Sequence, residues 1–283
     1  MLSDLLIFAA ATLSAGNGGT TPHSHPTVVA RPAPNRTDTT ELPASARTAL
    51  RAARAVLSGV GIESGSASAR AQNAVAVLRT RVRRQSDPNA LRLAFQAYYN
   101  FKAAHPEQVR KPYLYFVDYG LDSTTPRGYV FDMEALSIVD GPFTVAHGRG
   151  SAPGRSRVPL RFSNREGSNA TSLGLFLAQE TYSFTGHNAG RLYRSVGLRL
   201  SGLSGAFNSA ARRRGVVVHG APYVTRLAAG RSEGCPALEQ WRAQSLLPRI
   251  ANGGLVFLFS PLDRTWLTRD PWAHGRSAFG GNG

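Results

Sequence analysis

This 283-residue chain has one cysteine, Cys235, and only two lysines, Lys102 and Lys111. A single thiol excludes an internal disulfide. The thiol is then either a small buried hydrophobe or a reactive group. The shortage of lysine leaves 31 of the 33 basic residues as arginine, against 17 Asp and Glu. The formal net charge of +16 favours acidic partners: nucleic acid, anionic lipid or a carboxylate-rich polymer. Zinc-ligand spacing, an aromatic-basic RNA motif and a dense basic run are all missing. No nucleic-acid partner is therefore expected. Long apolar runs are missing too, so no stable membrane span is expected. Apolar residues make up 42% of the chain, enough for a substantial core.

One shorter apolar run, "LLIFAAATLSA" at Leu5–Ala15, has the length of a signal-peptide core, with small residues at Ser14, Ala15 and Gly16. It has no basic n-region, and Asp4 carries the wrong charge. Residues 1–15 are read as a candidate signal peptide. Residues 16–45 are rich in Gly, Thr, Pro, Ser and Asn and read as a flexible linker. The "HSH" of His23 and His25 lies there without a third ligand nearby. No metal and no cofactor are expected.

Residues 46–105 read as helical. Leu50, Ala53, Leu57 and Val60 keep helical spacing, as do Val75, Leu78 and Val82 in a second run of about 69–84. A third helix should be capped by Asp87, with Pro88 in its first turn and Leu91, Phe95 and Tyr98 on its apolar face. After Lys111 the period changes to strand alternation. "PYLYFVDYG", "RGYVFDME", "LSIVDGPFTVAHG", "GLFLAQETYSF", "VGLRLSGL", "GVVVHG" and "GLVFLFSP" are separated by turns rich in Gly, Ser, Asn and Pro. The fold class is mainly β: a β-rich, sandwich- or barrel-like domain over 112–263, preceded by a short helical segment. Helices are expected at about 205–213 and at 236–250. Residues 264–283 read as a tail with Trp266 and Trp272 as anchors.

Cys235 lies sixteen residues after His219, in "VVVHGAPYVTRLAAGRSEGCPAL". A thiol attacks as thiolate, so its pKa of about 8.5 must fall or a base must take its proton. Pro236 directly after the cysteine predicts a helix start there, whose dipole would favour the thiolate. His219 ends a β-branched run and should sit firmly at a strand end, positioned as the base. Gly220 and Gly234 permit close backbone approach. The amides of Gly234 and Cys235 could form an oxyanion hole. The chain order His then Cys differs from papain-like peptidases. Sortases share the order, but with a longer separation and an arginine on a later strand, which "GLVFLFSP" does not supply.

These residues resemble the catalytic motif of YkuD-type L,D-transpeptidases. The closer similarity is to the murein L,D-transpeptidase catalytic domain branch. Its motifs read here as "VAHGRGS" at 145–151, "FSN" at 162–164, "SNATSLG" at 168–174, "HGAPYV" at 219–224 and "SEGCPAL" at 232–238. The resemblance implies a β-rich catalytic domain that attacks peptidoglycan stem peptides through a thioester. Cys235 would be the nucleophile and His219 the general base, with Ser232 and Gly234 shaping the turn. His147 and Ser172 carry over as motif positions, either lining the substrate cleft or forming a hydrogen-bonded core pair. Gly220 and Tyr223 belong to the histidine motif and count among the candidate substrate-binding residues.

The wider family usually reads S-H-G-C-x-R; here Glu233 replaces the histidine and Ala237 the arginine. Another cation should then hold a substrate carboxylate, and Arg226 and Arg231 are the candidates. An extracytoplasmic, wall-facing location and a monomeric state are expected. The alternative is a basic wall-binding protein without catalytic activity.

Overall fold

A computed structural model of the protein describes residues 66–274. The candidate signal peptide, the linker with His23 and His25, the helical run around Leu50–Val60 and residues 275–283 lie outside the described residues. The chain is mainly β. Two helices come first, α1 (Ala67–Leu78) and α2 (Ala90–Ala104). Strands β1 (Tyr113–Asp118), β2 (Gly128–Asp132), β3 (Ser137–Phe143) and β4 (His147–Gly148) follow. Next are β5 (Gly174–Asn188), β6 (Arg191–Gly202), β7 (Val217–Gly220), β8 (Arg231–Ser232) and β9 (Ala237–Leu238). Helix α3 (Gln240–Ile250), strand β10 (Leu255–Phe259) and helix α4 (Arg264–Arg269) complete the described chain.

Eight strands form one mixed sheet in the order β3-β2-β1-β10-β5-β6-β7-β9. A second, two-stranded sheet pairs β4 with β8. All five residues of β10, "LVFLF", are buried, as are Leu114–Asp118 of β1, its parallel neighbour. Continuous apolar runs suit strands covered on both faces. Helix α2 packs on β1 and β10, and α3 packs on β6 and β7. Phe95 and Tyr98 of α2 join the same buried cluster as Phe116, Phe131 and Phe257 of the sheet.

Three local expectations are corrected. Asp87 does not cap α2. Its Oδ1 accepts from the Asn89 amide at 2.7 Å in a turn ahead of the helix, and Asn89 occupies the cap position. The helix expected at 205–213 is a single 3₁₀ turn, Gly205–Phe207, followed by further turns up to Gly215. The Asn208 side chain competes with helical bonding there. Its Nδ2 donates to the carbonyls of Leu173 and Leu175, and its Oδ1 accepts from the Ser204 amide. The helix after the cysteine begins at Gln240 rather than Pro236, because Ala237 and Leu238 form β9 against β7.

At the C-terminal end, α4 is capped by Asp263, whose Oδ1 accepts from the Trp266 amide at 2.9 Å. Trp266 is fully buried, packs tilted against Phe257 and edge-to-face against Phe259, and donates from Nε1 to Asp270 at 3.0 Å. Trp266→Ala should therefore cost about 3–5 kcal/mol of stability, read as a lowered midpoint in urea unfolding. A loss below about 1 kcal/mol would show that this helix contributes nothing to the core.

Candidate active site

The pairing of β7 with β9 assembles the site. The two strands run parallel, with His219 opposite Ala237 and Gly220 opposite Leu238. The His219 amide donates to the Pro236 carbonyl at 3.2 Å, and the Ala221 amide to the Leu238 carbonyl at 2.9 Å. The sixteen-residue excursion between histidine and cysteine therefore closes, and both residues lie on adjacent chains. Gly220 is required by packing: a Cβ there would collide with Ser195 Oγ and lie 2.9 Å from the Ala243 Cβ.

The His219 ring stands between Phe184 and Tyr223, at centroid separations of 5.7 and 6.5 Å, edge to face with both. Burial holds its pKa down at about 4, only partly offset by the Gly220 carbonyl. The ring is thus neutral at pH 7. Its Nδ1 lies 3.2 Å from the Gly220 carbonyl, which can only accept, so Nδ1 carries the proton and Nε2 presents a lone pair. A neutral imidazole with a free Nε2 is the form a general base requires.

The turn carrying Cys235 is fixed from within. Ser232 Oγ donates to the Cys235 carbonyl at 2.6 Å and accepts from the Gly234 amide at 3.2 Å. The Gly234 amide is therefore engaged and does not serve as the expected oxyanion donor. The Cys235 amide has no hydrogen-bond partner among the described residues. Gly234 has φ of +123°, and a Cβ there would stand 3.1 Å from the Ala170 carbonyl, so only glycine fits without strain.

The thiol is partly accessible, and Sγ lies 3.9 Å from the Gly215 carbonyl. It makes no hydrogen bond with His219 among the described residues. Burial pushes the thiol pKa up; a hydrogen bond from the Val217 backbone and the positive charge of Arg214 oppose that, and Glu233 adds to it. With α3 starting five residues further on, no helix terminus lowers it. The thiol therefore rests protonated at neutral pH.

The remaining candidates fall in different places. His147 is buried. Its Nδ1 accepts from Arg127 Nη2 at 2.9 Å, and its Nε2 is buried without a partner among the described residues. Burial, then the charges of Arg127 and Arg231, hold its pKa down at about 3. Ser172 is also buried, donating to the Ser163 carbonyl at 2.8 Å. Neither side chain opens to solvent, and the two do not pair with each other, so both cleft lining and a shared core pair are corrected. Arg231 is exposed, with Nη2 donating to the carbonyls of Gly154 and Ser156 at 2.7 and 2.9 Å. Arg226 is exposed and has no hydrogen bond or ion pair among the described residues. Glu233, where the wider family has histidine, pairs with Arg149 at 2.7 Å.

Two arginines near the site were not singled out from sequence. Arg127 is fully buried and donates to the carbonyls of Val145 and Leu121 besides His147. Arg214, half-buried, reaches the segment around Ser172. A signal existed for the second: Arg214 is the last charge before the buried run "VVVHG", where an arginine must find partners or leave the strand entrance.

No curated protein matches the chain. Among solved structures it resembles an L,D-transpeptidase from Mycobacterium smegmatis, at 15% identity and TM-score 0.31, over 52% of this chain and 58% of that one. It also resembles L,D-transpeptidases from Xylanimonas cellulosilytica (16%, TM-score 0.31, 53% of this chain and 61% of that one) and Stackebrandtia nassauensis (16%, TM-score 0.32, 60% and 68%). The chain thus spans between half and two thirds of the length of most of these relatives. Such distant likenesses support no residue-by-residue correspondence. The sequence match is more direct: residues 83–259 match the L,D-transpeptidase catalytic domain, and the chain belongs to that family.

Proposed function

We propose that this chain is a cysteine-dependent acyl transferase acting on peptidoglycan stem peptides, an L,D-transpeptidase with L,D-carboxypeptidase activity where water replaces the acceptor. One observation carries the reading. A buried, neutral histidine with a free Nε2 is hydrogen-bonded through its backbone to the residue after the only thiol. The setting is extracytoplasmic, at the cell wall, and the protein acts as a monomer. Its positive charge complements a carboxylate-bearing polymer.

The steps follow from the protonation states. Cys235 Sγ attacks the carbonyl carbon at the L-centre of the diamino acid while its proton passes to His219 Nε2. The Cys235 amide, without a partner among the described residues, donates to the developing oxyanion. The tetrahedral intermediate collapses, the C–N bond to the terminal D-residue breaks, and that amine leaves with the proton from His219. A thioester remains. An amine of a second stem then attacks the thioester and gives a proton to His219. The thiolate leaves and recovers that proton, closing the cycle. Tyr223 packs on the base and keeps water from its ring. Arg226, with its guanidinium uncommitted, holds a substrate carboxylate; Arg231 is already committed to two carbonyls.

Three outcomes are expected. First, purified protein incubated with disaccharide-tetrapeptides should release D-amino acid and give cross-linked or trimmed products by mass. Cys235→Ala should lose that turnover while keeping the parent's unfolding curve, and His219→Gln should lower kcat about 10²–10⁴-fold. Turnover by Cys235→Ala would mean another nucleophile, and no turnover by the parent would return the chain to the non-catalytic wall-binding reading.

Second, protonating His219 removes the base, so kcat/KM should hold as pH falls through 6.5 and drop only near its folded pKa of about 4. An acid limb near 6.5 would mean the base is a solvated histidine. Third, Arg226→Ala should lower kcat/KM about tenfold or more, the cost of losing a charge-assisted contact. A double variant with Arg231→Ala within about threefold of the parent would place the carboxylate contact elsewhere.

A further inference from the structure

We propose that Arg214 is a positioning residue of this site: its guanidinium ties the 163–172 segment to the cysteine turn and supplies the fixed positive charge that faces the thiolate. The inference rests on the proposed role of Cys235 and extends it to a residue that the catalytic motifs do not contain.

The geometry is a four-point clamp. Nη1 donates to the Ser163 carbonyl at 2.7 Å and to Ser172 Oγ at 2.5 Å. Nη2 donates to the Ala170 carbonyl at 2.8 Å and to Ser168 Oγ at 3.1 Å. All four acceptors lie in one segment spanning the second and third motifs. The same Nη2 stands 3.7 Å from where a Cβ on Gly234 would be, so the clamp reaches the residue before the cysteine. The chain fixes Arg214 from behind: its amide donates to the Ala210 carbonyl at 2.9 Å, and Gly215 leads directly into β7.

A guanidinium with four of its five donors committed to the protein has little left for a substrate carboxylate. Its role is then to orient and to set the field rather than to bind ligand. The planar fork explains the choice of arginine, since a lysine ammonium could not bridge two pairs of acceptors at fixed spacing.

The other charged and titratable groups near the thiol do not duplicate this. Glu233 acts in the opposite sense and is neutralised by Arg149. Tyr119, Tyr182, Tyr193 and Tyr223 all have hydroxyl pKa values raised by burial, so they are uncharged at assay pH. His219 is neutral. On the far side of Arg214, among the described residues, only Glu166 competes for its charge, and Glu166 is also 3.7 Å from Arg213. Arg214 is thus the cation that the thiolate meets.

The test is the pH dependence of iodoacetamide alkylation of the substrate-free protein, which needs no turnover. It stays informative even if the transpeptidase reading fails in the muropeptide assay. Arg214→Met should move the alkylation profile to higher pH by about one unit, a roughly tenfold slower reaction at fixed pH below the thiol pKa. Arg214→Gln, which keeps two N–H donors without the charge, should show the same shift and replaces the methionine variant if that one does not fold. Arg214→Lys should stay within about 0.3 units of the parent while its 163–172 amides exchange hydrogen faster. A charge-free variant whose profile overlays the parent would overturn the proposal. So would a lysine variant shifted as far as methionine or glutamine, since the effect would then be structural alone.

Discussion

The site depends on one short pairing, two residues of β7 against two of β9. The register places His219 opposite Ala237, so the strand after the cysteine is held by the strand that ends in the histidine. It requires Gly220 where Ser195 and Ala243 press close, and Gly234 at a left-handed φ beneath Ala170. The Ala146 amide adds a bond to the Ala237 carbonyl at 2.9 Å, linking the "VAHG" motif to the same point. Loss of this pairing would separate His219 from Cys235 although neither side chain had changed.

Burial sets the protonation states around it. The protein removes water from His219 and Cys235 together, which lowers one pKa and raises the other. Both groups are driven to their neutral forms. This differs from a preformed thiolate–imidazolium pair; in the proposed mechanism the proton moves at the moment of attack. The local positive field of Arg214 and the Val217 amide then act where charge develops. His147 follows the same logic: it is neutral, buried and bound to Arg127.

Much of this was legible in the chain. Alternation and turn residues located the strands from "PYLYFVD" to "GLVFLF", because each buried strand keeps its pattern regardless of its neighbours. Motif order and spacing pointed to His219 and Cys235. The helix start was misplaced because Pro236 followed by an apolar pair reads equally well as a first turn or as a strand, and only the partner β7 decides. Arg214 was hidden for a related reason. Its place before the buried run marks it as needing partners, but its four acceptors lie more than forty residues away in sequence, where no local pattern shows them. The burial of His147 and Ser172 was likewise a property of packing, invisible in a motif that shows only residue type.

The central claim is that the chemistry passes through a thioester on Cys235, formed from a neutral thiol with His219 as base. The most direct measurement is the mass of the intact protein, acid-quenched during turnover of a tetrapeptide stem and mapped by peptide. The account predicts an acyl-peptide adduct confined to the peptide containing Cys235 and released by hydroxylamine. Continued turnover with no hydroxylamine-labile adduct at Cys235 would contradict it.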